Sequence, residues 1–330
     1  MKSPIKIVVT GASGQLAYQA IFRLASGYAF GEDQPIILNM CDLPGTEKIM
    51  EGIAMELDDC CSYLLQQVHF SSDLNRMFDG IDFALLIGSS PRGPGMERGD
   101  LLVANGKIFV DQGKALNKRA KRTAHVLVVG NPCNTNALVA MSYAPDLKRE
   151  NFHAMLRLDQ NRATAQIAKR AGVSPREVSR MTIWGNHSAT QVPDFTHVLI
   201  NRKPIAENIT DIEWLRGPFF ELIQKRGAVI IDKLGRSSAA SAGRAAIDAI
   251  SSLWFPTPQG EWFSSAVCSD QNSYGIEKDL IFGFPCRSKG EGRYEIVPDL
   301  QWDFFIKEKI LVTQNELITE RECCKKQKLI

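Results

Sequence analysis

The stretch IKIVVTGASGQLAYQAIFRLA, residues 5–25, decides the fold. Ile5–Val9 is a short apolar run rich in β-branched residues, the signature of a buried strand. Gln15–Ala25 places Leu16, Ala17, Ala20, Ile21, Leu24 and Ala25 at helical spacing. Between them lies Gly11-Ala12-Ser13-Gly14. Glycine lets the backbone turn sharply and lets a phosphate approach the main-chain amides. The N–H groups and dipole at the start of the helix then favour negative charge. Gly11, Ala12, Ser13, Gly14, Gln15, Leu16 and Ala17 are therefore candidate pyrophosphate-binding residues. Ala17 is small enough for close helix–strand packing, and the dinucleotide fingerprint permits alanine at its third small position.

The same alternation runs outward through the first half of the chain. Strand-like runs at Ile36–Met40, Val68–Ser71, Phe83–Ile87, His125–Val129 and Phe152–Leu156 are separated by helical patterns such as Thr46–Leu57, Asp100–Lys118 and Thr135–Ala144. Short apolar strands alternating with helices imply βαβ units and a parallel sheet covered on both faces. The expected fold is α/β: an N-terminal Rossmann domain with a doubly wound parallel sheet over residues 1–155. Asp42 ends the second strand. A carboxylate there accepts hydrogen bonds from ribose hydroxyls and repels a 2′-phosphate, which predicts NAD as cofactor. It stands further along than the usual ~20 residues, and Gly27–Pro35 absorbs the excess as an extended connection. From residue 156 to 330 the pattern is α+β, with helical segments at Asp159–Ala171, Asp211–Lys233, Ser237–Leu253 and Asp303–Arg321 among short strands. This is the expected substrate domain.

Composition narrows the function class. The 330 residues carry 39 Lys+Arg against 37 Asp+Glu, a formal charge of +2, which argues against a nucleic-acid partner held by a basic surface. Hydrophobic content of 44% and charged content of 23% are those of a soluble globular chain. No apolar run approaches the about 20 residues that cross a bilayer, and Ile5–Val9 is too short for a secretory core. No C-x-x-C occurs among the eight cysteines, so no metal site is expected and reduced thiols in the cytoplasm are. The tail Lys325-Lys326-Gln327-Lys328 reads as a frayed, solvated end.

Three constellations carry chemistry. The loop Pro91-Arg92-Gly93-Pro94-Gly95-Met96-Glu97-Arg98 follows the fourth strand, at the carboxyl edge where such sheets bind ligands. Its two guanidinium forks suit a small dianion. In Leu158-Asp159-Gln160-Asn161-Arg162, the acid and the arginine stand three apart at a helix start and share a face. In Trp184-Gly185-Asn186-His187-Ser188, a histidine after an apolar strand is placed to transfer a proton. A histidine, an aspartate to orient it, several arginines and a dinucleotide fold together describe hydride transfer from a hydroxy acid.

These stretches, together with MELDDC (55–60), QGKALN (112–117), VVGNPCNTNA (128–137), QKRGAVII (224–231) and SSAASA (237–242), resemble the lactate/malate dehydrogenase family. The likeness is to its NAD-dependent malate dehydrogenases of the cytosolic and bacterial type 2 subgroup, and it runs in order over nearly the whole chain. The resemblance implies that His187 takes the hydroxyl proton of malate and that Asp159 holds the imidazole tautomer. It implies that Arg162 pairs with the carboxylate beside the reacting carbon, Arg98 polarises the oxaloacetate carbonyl and Arg92 selects the second carboxylate. Asn131 would orient substrate and nicotinamide, with Ser241 nearby. Asn105, Gln112, Val129, Gly130 and Asn131 match cofactor-contact positions. The subgroup further implies a homodimer and a place in the tricarboxylic acid cycle.

Gln160 departs from the subgroup, where histidine is common, and Ser89-Ser90 and Gln271-Asn272 also differ. A lactate dehydrogenase would share the His/Asp/Arg set, but Arg92 would then face a methyl group unpaired. Tyr274 and Lys278 fit the Tyr-x-x-x-Lys pair of short-chain dehydrogenases, although Gly275 suits a helix poorly. A non-catalytic NAD-binding protein would have no need to keep Asp159, Arg162 and His187 together.

Overall fold

The computed structural model describes residues 2–90 and 98–330, without the side chains of 98–100. Arg92, with the rest of its loop, and the Arg98 side chain therefore lie outside the described residues. The chain forms two compact units. The first comprises the chain to Ala154 together with Ala239–Ser251 and Glu320–Ile330, and the second comprises Met155–Ser238 and Ser252–Thr319.

The first unit runs β1 (Ile5–Thr10), α1 (Gln15–Ala25), β2 (Ile36–Cys41), α2 (Glu47–Asp59), β3 (Leu65–Ser71), α3 (Leu74–Met77), β4 (Phe83–Leu86), α4 (Arg98–Arg119), β5 (His125–Val128), α5 (Cys133–Ser142) and β6 (Phe152–Ala154). Its strands lie in the order β6-β5-β4-β1-β2-β3, and every pair is parallel. This is the doubly wound sheet expected from the alternating pattern, and its order reverses between β1 and β4. The central strands are covered on both faces: every residue of β4, and all but Lys6 of β1, is buried. Fully buried Ile7, Ile21 and Leu24 each contribute roughly 1.5–3 kcal/mol by leaving water. β3 starts earlier than its apolar run suggests. It lies at the sheet edge, where Gln66 and Gln67 face solvent without cost.

The second unit contains α6 (Arg157–Ala171), β7 (Val178–Ser179), β8 (Thr182–Trp184), β9 (Val192–Asp194), β10 (Leu199–Ile200), β11 (Lys203–Pro204), α7 (Ile212–Arg216) and α8 (Pro218–Leu234). After α9 (Ala240–Trp254), which groups with the first unit up to Ser251, come β12 (Phe263–Cys268), β13 (Ile281–Gly290), β14 (Arg293–Ile296) and α10 (Phe304–Lys326). β12, β13 and β14 pair antiparallel in sequence, and β8 pairs with β9. The single helix expected over Asp211–Lys233 is two. α7 ends at Arg216 and Pro218 opens α8, because proline has no N–H to continue a helix and suits the first position of a new one.

The carboxyl-terminal tail corrects the frayed-end expectation. α10 continues to Lys326, and Leu329 is buried against Gly106 of α4. A Cβ at residue 106 would stand 2.6 Å from a Leu329 methyl, so the glycine makes room for the tail's apolar anchor. Only the lysines and Gln327 remain exposed.

Candidate functional site

In the first unit, β1 delivers the glycine turn to the reversal point of the sheet. Gly11 has φ +66°, and a Cβ there would stand 2.6 Å from the Gly88 Cα at the end of β4. Only glycine satisfies both the left-handed backbone and the close approach. Gly14 caps α1 in extended conformation and offers no side-chain bond to the first amides of the helix, which suits an anionic ligand there. Asp42 at the end of β2 ties this turn down: its Oδ2 accepts from the Ser13 N–H at 2.8 Å and the Ser13 hydroxyl at 2.6 Å. Its Oδ1 accepts from the Leu43 N–H at 2.8 Å. A carboxylate has about four acceptor positions, so Asp42 holds its own turn and keeps capacity for a ribose hydroxyl.

The other cofactor-position residues gather at the ends of β4 and β5. Asn105 is fully buried; its amide donates to the Asn131 carbonyl at 2.8 Å and its Oδ1 accepts from Ser90 N at 2.7 Å. It thus joins the segments that follow the two strands. Asn136 donates to the Gly130 carbonyl at 2.8 Å, fixing the Val129–Asn131 turn, and Asn131 itself is exposed. Gln112 is buried with its Oε1 lacking a hydrogen-bond partner. Ser241 lies exposed in the first turn of α9. An open helix start, a strand-end carboxylate with spare acceptor capacity and a glycine held against the neighbouring strand all fit a dinucleotide.

In the second unit, α6 and the loop after β8 bring three reactive side chains together. Asp159, in the first turn of α6, is wholly buried, and its Oδ2 meets His187 Nδ1 in a short hydrogen bond. Its Oδ1 accepts from Arg162 Nη1 at 3.4 Å, across one turn of the same helix. Arg162 also donates to the Ser238 hydroxyl at 3.3 Å. Burial lowers the Arg162 pKa, Asp159 opposes that shift and nearby Arg226 adds to it. Engagement at Nδ1 directs proton exchange by His187 to Nε2.

The other histidines have different surroundings. Burial of His153 pushes its pKa down to about 3, so it is a neutral core residue. His69 meets Gln67, and His197 meets the Gln301 carbonyl. His187 is paired with a carboxylate, that of Asp159.

Local sequence sets the His187 loop. Trp184 is fully buried, donates to Asp194 on β9 at 2.9 Å and packs edge-on against Tyr274 and Trp302. Gly185 follows with φ +86°; a Cβ there would stand 2.3 Å from the Thr313 hydroxyl of α10. Gly185 and Gly283 exchange backbone hydrogen bonds at 3.2 and 2.9 Å, pinning the end of β8 to β13. Gln160, next to Asp159 in sequence, is a strut: its amide donates to the Met181 carbonyl at 3.0 Å and accepts from Ser264 N at 2.9 Å. An amide does this without carrying a titrating proton.

Sequence reasoning missed Thr190, Thr313 and Glu316, which surround the His187 loop with hydrogen bonds. No local signal marks them, because Thr313 and Glu316 come from a helix more than a hundred residues away. The Tyr274/Lys278 alternative has no catalytic geometry. The segment is not helical, and the Tyr274 hydroxyl donates to the Val297 carbonyl at 2.5 Å. Burial pushes the phenol up to about 12.

Two family models match the chain: "lactate/malate dehydrogenase, NAD binding domain" over residues 5–153 and "lactate/malate dehydrogenase, alpha/beta C-terminal domain" over residues 156–328. Malate dehydrogenase of Protochlamydia amoebophila is 54% identical over 322 residues, covering 98% of each chain. That of Chlamydia felis is 55% identical over 317 residues, 96% of each. The crystal structure of malate dehydrogenase from Naegleria fowleri aligns with TM-score 0.94 at 40% identity over 99% of both chains. Trichomonas vaginalis lactate dehydrogenase with NADH and oxamate aligns with TM-score 0.93 at 34% identity over 98% of both. With both family domains in order along a chain whose glycine turn, strand-end acid and His–Asp–Arg cluster are in place, this protein belongs to the lactate/malate dehydrogenase family.

Proposed function

We propose that the chain is an NAD-dependent malate dehydrogenase, interconverting (S)-malate and oxaloacetate as in the tricarboxylic acid cycle. The observation that carries this reading is the buried Asp159 bonded at once to His187 and Arg162. NAD, when bound, supplies the hydride acceptor at the nicotinamide ring. The residues that would hold it are Gly11–Ala17, Asp42 and the Val129–Asn131 turn, supported by Asn105 and Gln112, with Ser241 near the nicotinamide. We keep the functional division at residue 155: cofactor binding before it, proton transfer and substrate binding after it.

In malate oxidation His187 Nε2 accepts the hydroxyl proton, and the Asp159 carboxylate stabilises the resulting imidazolium without taking the proton itself. In oxaloacetate reduction the same proton returns to the carbonyl oxygen. Arg162 holds the carboxylate beside the reacting carbon through its planar fork. Asn131 orients the substrate, Arg98 polarises the carbonyl and Arg92 reads the distal carboxylate.

The fold does not separate malate from lactate as substrate, since enzymes named for each superpose on this chain almost equally well. Relatives named malate dehydrogenase at 54% identity favour the dicarboxylate, as does a guanidinium at residue 92. The test is oxidation of NADH by the purified protein with oxaloacetate and, separately, pyruvate. A strong rate with the first and little with the second is expected, and the reverse order would make this a lactate dehydrogenase. Arg92→Gln should move the oxaloacetate/pyruvate ratio of kcat/KM toward pyruvate by roughly 10- to 100-fold, since a charge-assisted hydrogen bond is worth about 1.5–3 kcal/mol. An unmoved ratio would assign distal-carboxylate recognition elsewhere.

We place the enzyme in the cytoplasm as a homodimer. None of the eight cysteines is in a disulfide, and no described helix is long and apolar enough to cross a membrane. Exposed Ile49 and Met55 on α2, and Leu222, Val229, Ile231 and Leu234 on α8, supply apolar surface that a second copy would cover. Sedimentation at micromolar concentration should give the mass of a dimer; a monomer there would sink the assignment.

A further inference from the structure

His187 is held from one side by Asp159 of α6. The residues around it are held by α10. Glu316 Oε2 accepts from Asn186 Nδ2 at 2.8 Å, from the Ser188 hydroxyl at 2.5 Å and from the Thr190 hydroxyl at 2.6 Å. One turn earlier, on the same helix face, the Thr313 hydroxyl accepts from the Asn186 N–H at 2.9 Å and lies 2.9 Å from that of Thr190. The Thr190 N–H in turn donates to Ser188 Oγ at 3.0 Å.

Each hydroxyl has a single proton, and the set converges on Glu316. Asn186 N–H donates to Thr313, Ser188 and the Asn186 amide donate to Glu316, and the Thr190 hydroxyl donates to Glu316 with Thr313 Oγ1 as its second, longer acceptor. The donors end on one carboxylate oxygen, and such chains polarise and strengthen one another. Both neighbours of His187 in sequence are thus fastened to α10, and Gly185 packs against Thr313 as well.

From this network we infer that Glu316 is a positioning residue for the proton-transfer step: as the common acceptor for Asn186, Ser188 and Thr190 it sets the height and tilt of the His187 ring against Asp159. The inference rests on the assignment of His187 as the proton-transfer group. A carboxylate is the side chain suited to the task, because it accepts at every position and offers no competing donor. Glu316→Gln replaces one acceptor oxygen with an NH₂ donor, so at least one bond to the loop breaks or the amide turns and only its carbonyl is presented. Glu316→Asp keeps the charge but withdraws it by one methylene.

The experiment measures kcat, KM and the pH–rate profile for oxaloacetate reduction in wild type, Glu316→Gln, Glu316→Asp, His187→Asn and the double variant Glu316→Gln/His187→Asn. NADH affinity and thermal unfolding are measured beside them. Glu316→Gln should lower kcat by ~10- to 100-fold, the scale on which a displacement of about 1 Å acts. NADH affinity should stay within twofold and the ionisation in the pH–rate profile should shift. Glu316→Asp should fall between Glu316→Gln and wild type. In the His187→Asn background the Glu316→Gln change should add no further loss, because its effect passes through the imidazole. Additive losses in the double variant, or a normal kcat and pH profile in a folded Glu316→Gln protein, would overturn the proposal. Near-normal turnover by His187→Asn would instead overturn the assignment of His187, and the two failures are thereby distinct.

Discussion

His187→Asn is expected to lower kcat for oxaloacetate reduction by ~10²–10⁴-fold, the usual contribution of a positioned general acid–base. Asparagine fills similar space and can still donate a hydrogen bond toward Asp159, so the loop should keep its place while the exchangeable proton is lost. NADH affinity should hold, because the glycine turn and Asp42 belong to the first unit and His187 to the second. Stopped-flow NADH binding and steady-state turnover on one preparation measure both quantities. Turnover within threefold of wild type would remove His187 from the mechanism.

Asp159→Asn is expected to cost a comparable factor, ~10²–10⁴, for a different reason. The carboxylate is fully buried and accepts from both His187 and Arg162. An amide in its place can present an N–H to the imidazole, which favours the tautomer protonated at Nε2. That nitrogen then has no lone pair with which to take the malate proton. The imidazolium needed for the opposite direction also loses its counter-charge, so the ionisation seen in the pH–rate profile should move to lower pH. Arg162, largely desolvated, loses an ionic partner, and a hydrogen bond to a charged group is worth about 1.5–3 kcal/mol. The variant should therefore unfold at lower temperature than His187→Asn does. An unchanged pH profile would mean that Asp159 serves the packing of α6 alone.

Much of this architecture is legible in the sequence. The βαβ alternation declared itself because β1, β2, β4 and β5 are nearly continuous apolar runs, as strands covered on both faces must be. β3 was shorter in the pattern than in space, since its edge position tolerates Gln66 and Gln67. Strands of two or three residues, such as β7, β9 and β11, carry too few positions to express a period. The break at Gly217-Pro218 was in the letters, but the long amphipathic pattern across it concealed the stop. The buried Leu329 was concealed by the lysines that precede it.

The site divides in the same way. The glycine turn, Asp42, the Asp159/Arg162 spacing and His187 lie in short contiguous motifs, and their chemistry follows from residue type and from place relative to a strand or helix. That His187 stands beside Asp159 is an expectation from residue chemistry and resemblance in the sequence, and an observed contact only where α6 and the loop after β8 meet. Gln160 as a bridge between Met181 and Ser264, and Glu316 as acceptor for three residues around His187, had no sequence signal at all. The sequence alone determined the layered fold and the identity of the reacting groups, because periodicity and functional-group chemistry are local properties. Tertiary structure alone decided which distant side chains hold those groups in place. A hydrogen bond needs its partners within about 3 Å, and only folding brings residues so far apart in the chain to that distance.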